Sequence, residues 1–193
     1  MTRLVSFESA TEFRQWLERN HAAEDALLVR FFRKASGKDG LTYKEAVDQA
    51  LCFGWIDGVR TSLDSESYSQ RFTPRRKRSI WSLVNVKRFE ELKAEGKVTP
   101  SGQAAFDART AERTGIYSAE QGDLEFEPTQ LARLQSNAAA WTFWQKAPKS
   151  YRKPATWWVL SAKKPETRER RLAQLVQCSA RGVRVPPLLP RRA

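Results

Sequence analysis

The chain has 193 residues, 40% hydrophobic and 29% charged, with 34 Lys/Arg against 22 Asp/Glu and a net charge of +12. That is long enough for one large domain or a domain with an extension, and apolar enough to bury a core. No window reaches the ~18 consecutive apolar residues of a membrane span; the N-terminal Met1-Thr2-Arg3-Leu4-Val5-Ser6-Phe7-Glu8 lacks the apolar run and cleavage site of a signal peptide, so a cytoplasmic protein is expected.

Residues 4–7 read as a short strand. Ser9 and Glu12 form a capping-box pattern, followed by the Phe13, Trp16, Leu17 stripe of a helix that Asn20 can end. Residues 26–32 read as a continuous apolar run of strand length, expected to be buried on both faces. Residues 34–40 are a loop. Thr42 and Glu45 open a second helix in the same way, and Gly54 stops it after Phe53. Residues 55–60 and 68–74 are strands joined closely enough to form a hairpin. Ser79 is expected to cap a helix carrying Trp81, Val84, Phe89 and Leu92, and Ser101 to start another.

Residues 112–123 read as a hinge, beyond which the pattern is wholly helical. Helices are expected from Pro128, from the cap Asn137, from Pro148 with an interruption or restart at Pro154, and from Pro165. The segment Val185-Pro186-Pro187-Leu188-Leu189-Pro190 cannot continue a helix. The expected fold is α+β, with a small mixed or antiparallel sheet and helices in the N-terminal part and an all-helical C-terminal unit. The expected domains are 1–123, a basic helical unit over 124–182, and a Pro-rich extended tail over 183–193.

The charge is uneven. Residues 1–127 hold 20 Lys/Arg and 20 Asp/Glu, whereas residues 128–193 hold 14 Lys/Arg and only Glu166 and Glu169. Such asymmetry points to an anionic partner, nucleic acid first and an anionic membrane surface as the rival, although a basic surface also serves solubility. Cys52 and Cys178 lie far apart in apolar contexts and read as reduced core residues.

Histidine chemistry is nearly absent, because His21 is the only histidine and reads as a surface residue. No zinc cluster, phosphate loop, dinucleotide fingerprint or nucleophile elbow is present in the sequence. Neither a metal nor a cofactor is expected, and no catalytic residue is assigned. Asp57 is the most suggestive carboxylate. Arg71 and Arg75 on the next strand are expected to face it across the hairpin, beside Trp55 and Trp81. That arrangement suits a small polar ligand, with a structural ion pair that fixes the hairpin as the alternative. With Thr73, Ser79 and Asn85 these residues form the candidate ligand-binding set. Arg75-Arg76-Lys77-Arg78 precedes an expected helix N-terminus, where phosphate binding is physically sensible. Arg76, Lys77 and Arg78, together with Lys163, Lys164, Arg168, Arg170 and Arg171 around the Pro165 junction, form the candidate nucleic-acid surface.

Several stretches resemble the YdeI/OmpD-associated family of bacteriocin-protection proteins. They are Leu41-Thr42-Tyr43-Lys44-Glu45-Ala46-Val47-Asp48, Ala50-Leu51-Cys52-Phe53-Gly54-Trp55-Ile56-Asp57-Gly58, Gln70-Arg71-Phe72-Thr73-Pro74-Arg75, Ser79-Ile80-Trp81-Ser82 with Asn85, and Ala162-Lys163-Lys164-Pro165-Glu166-Thr167-Arg168. The resemblance extends to about Gly182 and implies stress or antimicrobial-peptide tolerance, without naming a reaction. The expected function is non-enzymatic polyanion binding. The alternatives are a small-ligand or enzyme pocket around Asp57, Arg71, Arg75 and Trp81, and binding to an anionic membrane surface.

Overall fold

The structure, a computed structural model, describes residues 3–189. The chain forms two compact units with the boundary after Ile116. The first combines β1 (Leu4–Ser6), α1 (Ala10–Asn20), β2 (Leu27–Phe32), α2 (Tyr43–Cys52), β3 (Trp55–Ser62), β4 (Ser67–Pro74), α3 (Leu83–Ala94) and α4 (Pro100–Asp107). Its sheet has the order β1-β2-β4-β3. β1 runs parallel to β2, which the crossover through α1 permits, while β2 and β3 both pair antiparallel with β4. The fold is α+β.

Both caps form, but only Thr42 closes a full capping box, because the Glu12 carboxylate accepts from the Glu8 N–H and not from Ser9. Ser9 accepts the Glu12 N–H, and Thr42 and Glu45 exchange both bonds of a capping box. β2 departs from expectation. Leu27, Val29 and Phe31 are buried, but the alternate residues Leu28, Arg30 and Phe32 are only half-buried. Its buried residues pair in register with Phe72, Gln70 and Tyr68 of β4. One face therefore carries the core, and the apolar run is a one-sided strand.

Two helix starts also move. α3 begins at Leu83 with Ser82, not Ser79, as its cap. Trp81 is held out of the helix because its N–H donates to the Arg113 carbonyl and its own carbonyl accepts from Gly115, a bridge that seats the indole in the core. There it meets Phe89 and Phe106 edge to face. α4 begins one residue before Ser101, with Thr99 as the cap and Pro100 in the first position. β4 is the last strand among the described residues.

The second unit holds α5 (Pro128–Gln135), α6 (Ala138–Lys146), α7 (Lys149–Leu160) and α8 (Pro165–Ala180). Its core includes Leu134, Trp144, Tyr151, Val159, Leu172 and Leu175. α7 runs through Pro154 without interruption. Tyr151, Ala155 and Val159 are buried on both sides of the proline, so packing holds the helix, and the Ser150 carbonyl deprived of its partner belongs to an exposed residue. The tail is not simply extended. Val185 is buried, its N–H donates to the Tyr151 hydroxyl at 3.2 Å, and Pro186–Leu188 form a 3-10 turn. Residues 190–193 of the expected tail lie outside the described residues. Both cysteines are free and buried. Among the described residues no helix is long and apolar enough to cross a membrane.

The tightest backbone approach in the first unit is at Gly102, where an added Cβ would stand 2.2 Å from the Cys52 carbonyl oxygen. Neither atom is on a flexible side chain, so α4 would have to shift. Gly102→Ala is expected to destabilise the first unit by about 3 kcal/mol, measured by denaturant unfolding. Gly58→Ala, whose Cβ would meet only an ordinary 3.6 Å contact with the Arg71 carbonyl, is expected to cost under about 1 kcal/mol.

Candidate functional site

Asp57 does not face the arginines. In the β3–β4 register it pairs with Phe72, on the core side of the sheet. Arg71 and Thr73 alternate with Phe72 and therefore project from the other face, where Arg71 is exposed. Asp57 is instead held by Tyr43, whose hydroxyl donates to Oδ2 at 2.8 Å, and by Gln70, whose Nε2 lies 3.4 Å from the same oxygen. Pairing resumes at Arg60↔Gln70, so Gly58 and Val59 together oppose Arg71 in a bulge. Gln70 Nε2 donates to the Gly58 carbonyl at 2.7 Å and stabilises that bulge from the core side. Arg60 stacks on Tyr68, with Cζ 3.6 Å from the ring centroid.

Arg75 belongs to Trp81. Its Cζ lies 3.6 Å from the indole centroid and its Nη1 donates to the Ile80 carbonyl. The basic run does not abut a helix N-terminus, because Ser79, Ile80 and Trp81 separate it from the Ser82 cap. Arg76 to Ser79 form a turn, closed by the Ser79 N–H on the Arg76 carbonyl. Arg78 takes φ 64 within it, a conformation unusual for a residue with a side chain. Arg76, Lys77 and Arg78 are all exposed. Asn85 is half-buried in the first turn of α3, where its N–H is taken by Ser82.

A cleft of about 340 Å³ gathers part of the expected set with residues that sequence reasoning passed over. Trp55, Arg75, Arg76 and Lys77 line it, together with His21, Phe53, Ser101, Ala104 and Ala105. His21 is not a plain surface residue. Its Nδ1 lies 2.8 Å from the Leu17 carbonyl and its Nε2 lies 2.9 Å from Ser101 Oγ. A carbonyl only accepts, so Nδ1 carries the proton, and in the neutral ring Nε2 accepts from the Ser101 hydroxyl. Below the ring, the indole N–H of buried Trp55 donates to the His21 carbonyl at 3.2 Å. The cleft thus offers an apolar floor, a hydroxyl paired with a base, and a cationic rim. Nothing local could have revealed the pair, since its members are 80 positions apart.

The C-terminal candidates divide in two. Lys163, Lys164 and Arg170 are exposed. Arg168 donates to the Ala162 carbonyl at 3.3 Å and Arg171 to the Trp158 carbonyl at 2.6 Å, so both guanidiniums satisfy carbonyls at the end of α7. Arg133 pairs with Glu169.

Residues 5–105 match the model of a family described as a domain of unknown function (DUF8412). That is more than half of the chain. The chain belongs to this family. Residues 123–182 match a second model, described as Bacteriocin-protection, YdeI or OmpD-Associated. The YdeI/OmpD resemblance is therefore shown for that part of the chain, while the stretches between 41 and 85 lie within the DUF8412 match. No curated protein and no solved structure matches the chain.

Burial of the Tyr43 hydroxyl, and then its bond to the Asp57 carboxylate, push its ionisation well above the ordinary value for tyrosine. The folded state keeps this proton where the unfolded state loses it. The associated stability is thus complete below about pH 10 and is lost as pH rises through the folded value. Asp57→Asn is expected to lower Tyr43 ionisation in an ultraviolet titration, and Tyr43→Phe to remove part of the alkaline loss of stability. An unchanged titration in Asp57→Asn would place the hydroxyl elsewhere.

Proposed function

We propose that the chain binds a small anionic ligand in the cleft of its DUF8412 unit. One observation carries the reading: the His21–Ser101 pair and the Arg75–Arg76–Lys77 turn line the same cleft, over a floor that includes buried Trp55. Its volume of about 340 Å³ falls within the range of small-molecule sites. Arg76 and Lys77 supply charge for a carboxylate or phosphate. With its proton given to His21 Nε2, the Ser101 hydroxyl keeps an acceptor oxygen for a ligand hydroxyl such as that of a phosphate ester, and Trp55 with Ala104 and Ala105 suits a flat apolar body. Asp57 stands outside this cleft with Tyr43, so the carboxylate–arginine pocket read from the hairpin is not the site proposed.

The test is calorimetric titration with a panel of small aromatic carboxylates and phosphate esters. Loss of one charge-assisted contact, about 1.5–3 kcal/mol, is expected to weaken the best binder roughly tenfold or more in Arg76→Ala or Lys77→Ala. Ser101→Ala is expected to weaken it as well, and Asp57→Asn to leave it unchanged. Failure of the whole panel to bind, or equal affinity in the cleft variants, would overturn the reading.

A second reading is polyanion binding by the YdeI/OmpD-associated unit, with nucleic acid as the partner. It is favoured by exposed Lys163, Lys164 and Arg170 around the α7–α8 turn, in a region with 14 Lys/Arg and two acids. Arg168 and Arg171 are already engaged by carbonyls, which narrows the surface. A role in tolerance to antimicrobial peptides rests on the description of the matched model, bacteriocin protection. Oligonucleotide affinity is expected to fall with salt by roughly 0.9 log units per phosphate contact per log unit of salt. The Lys163→Ala/Lys164→Ala/Arg170→Ala variant is expected to reduce that slope. Binding to anionic vesicles in place of oligonucleotides would assign the surface to a membrane.

A further inference from the structure

A second cleft, of about 450 Å³, lies wholly within the YdeI/OmpD-associated unit. Lys149, Arg152, Lys153 and Thr156 line it from α7. Their spacing of i, i+3, i+4 and i+7 puts all four on one helical face. The apolar side is supplied by Phe126, Leu131 and Trp144, with Trp144 only 6% exposed and packed against Phe126 at 5.7 Å between ring centroids.

The polar side has capacity to spare. None of the ion pairs among the described residues involves Lys149, Arg152 or Lys153. The Nε of Arg152 is buried and has no hydrogen-bond partner among the described residues. A buried guanidinium donor left unsatisfied is costly, and a planar two-oxygen acceptor matches it best. Thr156, 3% exposed, adds a hydroxyl at the inner end of the stripe. Asp123 and Glu125 also line the cleft, so three cations stand against two carboxylates there.

We propose that this cleft binds a small amphipathic monocarboxylate, its head on Arg152 with Lys149 and Lys153, and its apolar tail against Phe126, Leu131 and Trp144. The site is independent of the first cleft, since each is lined by residues of one unit alone. The volume is sufficient for a short aliphatic or single-ring acid and falls in the usual range for ligand sites.

Calorimetry on the full chain with decanoate, decanol and decylammonium tests this. Decanoate is expected to bind about tenfold or more tightly than decanol, the worth of one charge-assisted contact. Arg152→Gln is expected to remove most of that difference, and Lys149→Gln/Lys153→Gln a smaller part; this second variant changes side chains at the outer end of the stripe, so it remains informative should Arg152→Gln fold poorly. Phe126→Ala is expected to weaken decanoate and decanol alike. Arg76→Ala/Lys77→Ala is expected to leave decanoate binding intact, which separates this site from the first cleft. Equal affinity for decanoate and decanol, preference for decylammonium through Asp123 and Glu125, or decanoate binding indifferent to both α7 variants would each overturn the proposal.

Discussion

The first unit is built around the close approach of two backbones at the end of α2. The Cys52 carbonyl accepts both the N–H and the hydroxyl of Thr99, at 3.0 and 2.7 Å, and lies against Gly102. Gly54, at φ +72, faces the Ser101 carbonyl and Ala105 so closely that a Cβ would stand 2.8 Å from each. Its carbonyl in turn accepts the Arg75 N–H. One turn of chain therefore fixes α4, the start of β3 and the approach to the basic turn. Side chains at 54 and 102 would hold α4 away from the sheet. The contact between Ser101 and His21 exists because that separation is so small.

Much of the arginine complement serves this architecture before it serves any partner. Arg88 grips Asp48 with two bonds of 2.9 Å and ties α3 to α2. Arg75 covers Trp81, and Arg109 covers Phe106 at 3.6 Å. Arg168 and Arg171 close the end of α7. A planar guanidinium can stack and donate at once, which suits it to such places better than lysine. Part of the formal charge of +12 is therefore carried by guanidiniums whose donors are already committed within the fold, while Lys163, Lys164 and Arg170 present theirs to solvent.

Local signals were legible in the sequence and long-range ones were not. The caps at Ser9, Thr42 and Asn137, the stop at Gly54 and the starts at Pro128 and Pro165 each depend on a few neighbouring residues, and each stands where it was read. The shift from Ser79 to Ser82 depends on Thr114, which pulls Trp81 into a bridge from 33 positions away. The partner of Asp57 depended on strand parity. Phe72 is its neighbour, so Arg71 had to fall on the far face, and the carboxylate was left to Tyr43 from a helix 14 positions earlier. Proline at 154 read as a break because local geometry disfavours it; the apolar face on either side of it decides otherwise.

Val185 gives the second unit a border that the family match does not trace. The YdeI/OmpD-associated match ends at residue 182, yet Val185 is wholly buried and its N–H is met by Tyr151 from inside the core. Val185, three residues past the matched segment, thus belongs to the hydrophobic interior, like a latch on the α7–α8 pair, while Val183 and Arg184 before it stay exposed. A fragment trimmed to the match would expose an apolar hollow beside a phenol stripped of its donor. A fragment that keeps this core whole extends at least through the 3-10 turn at Pro186–Leu188, since Leu188 also packs against it.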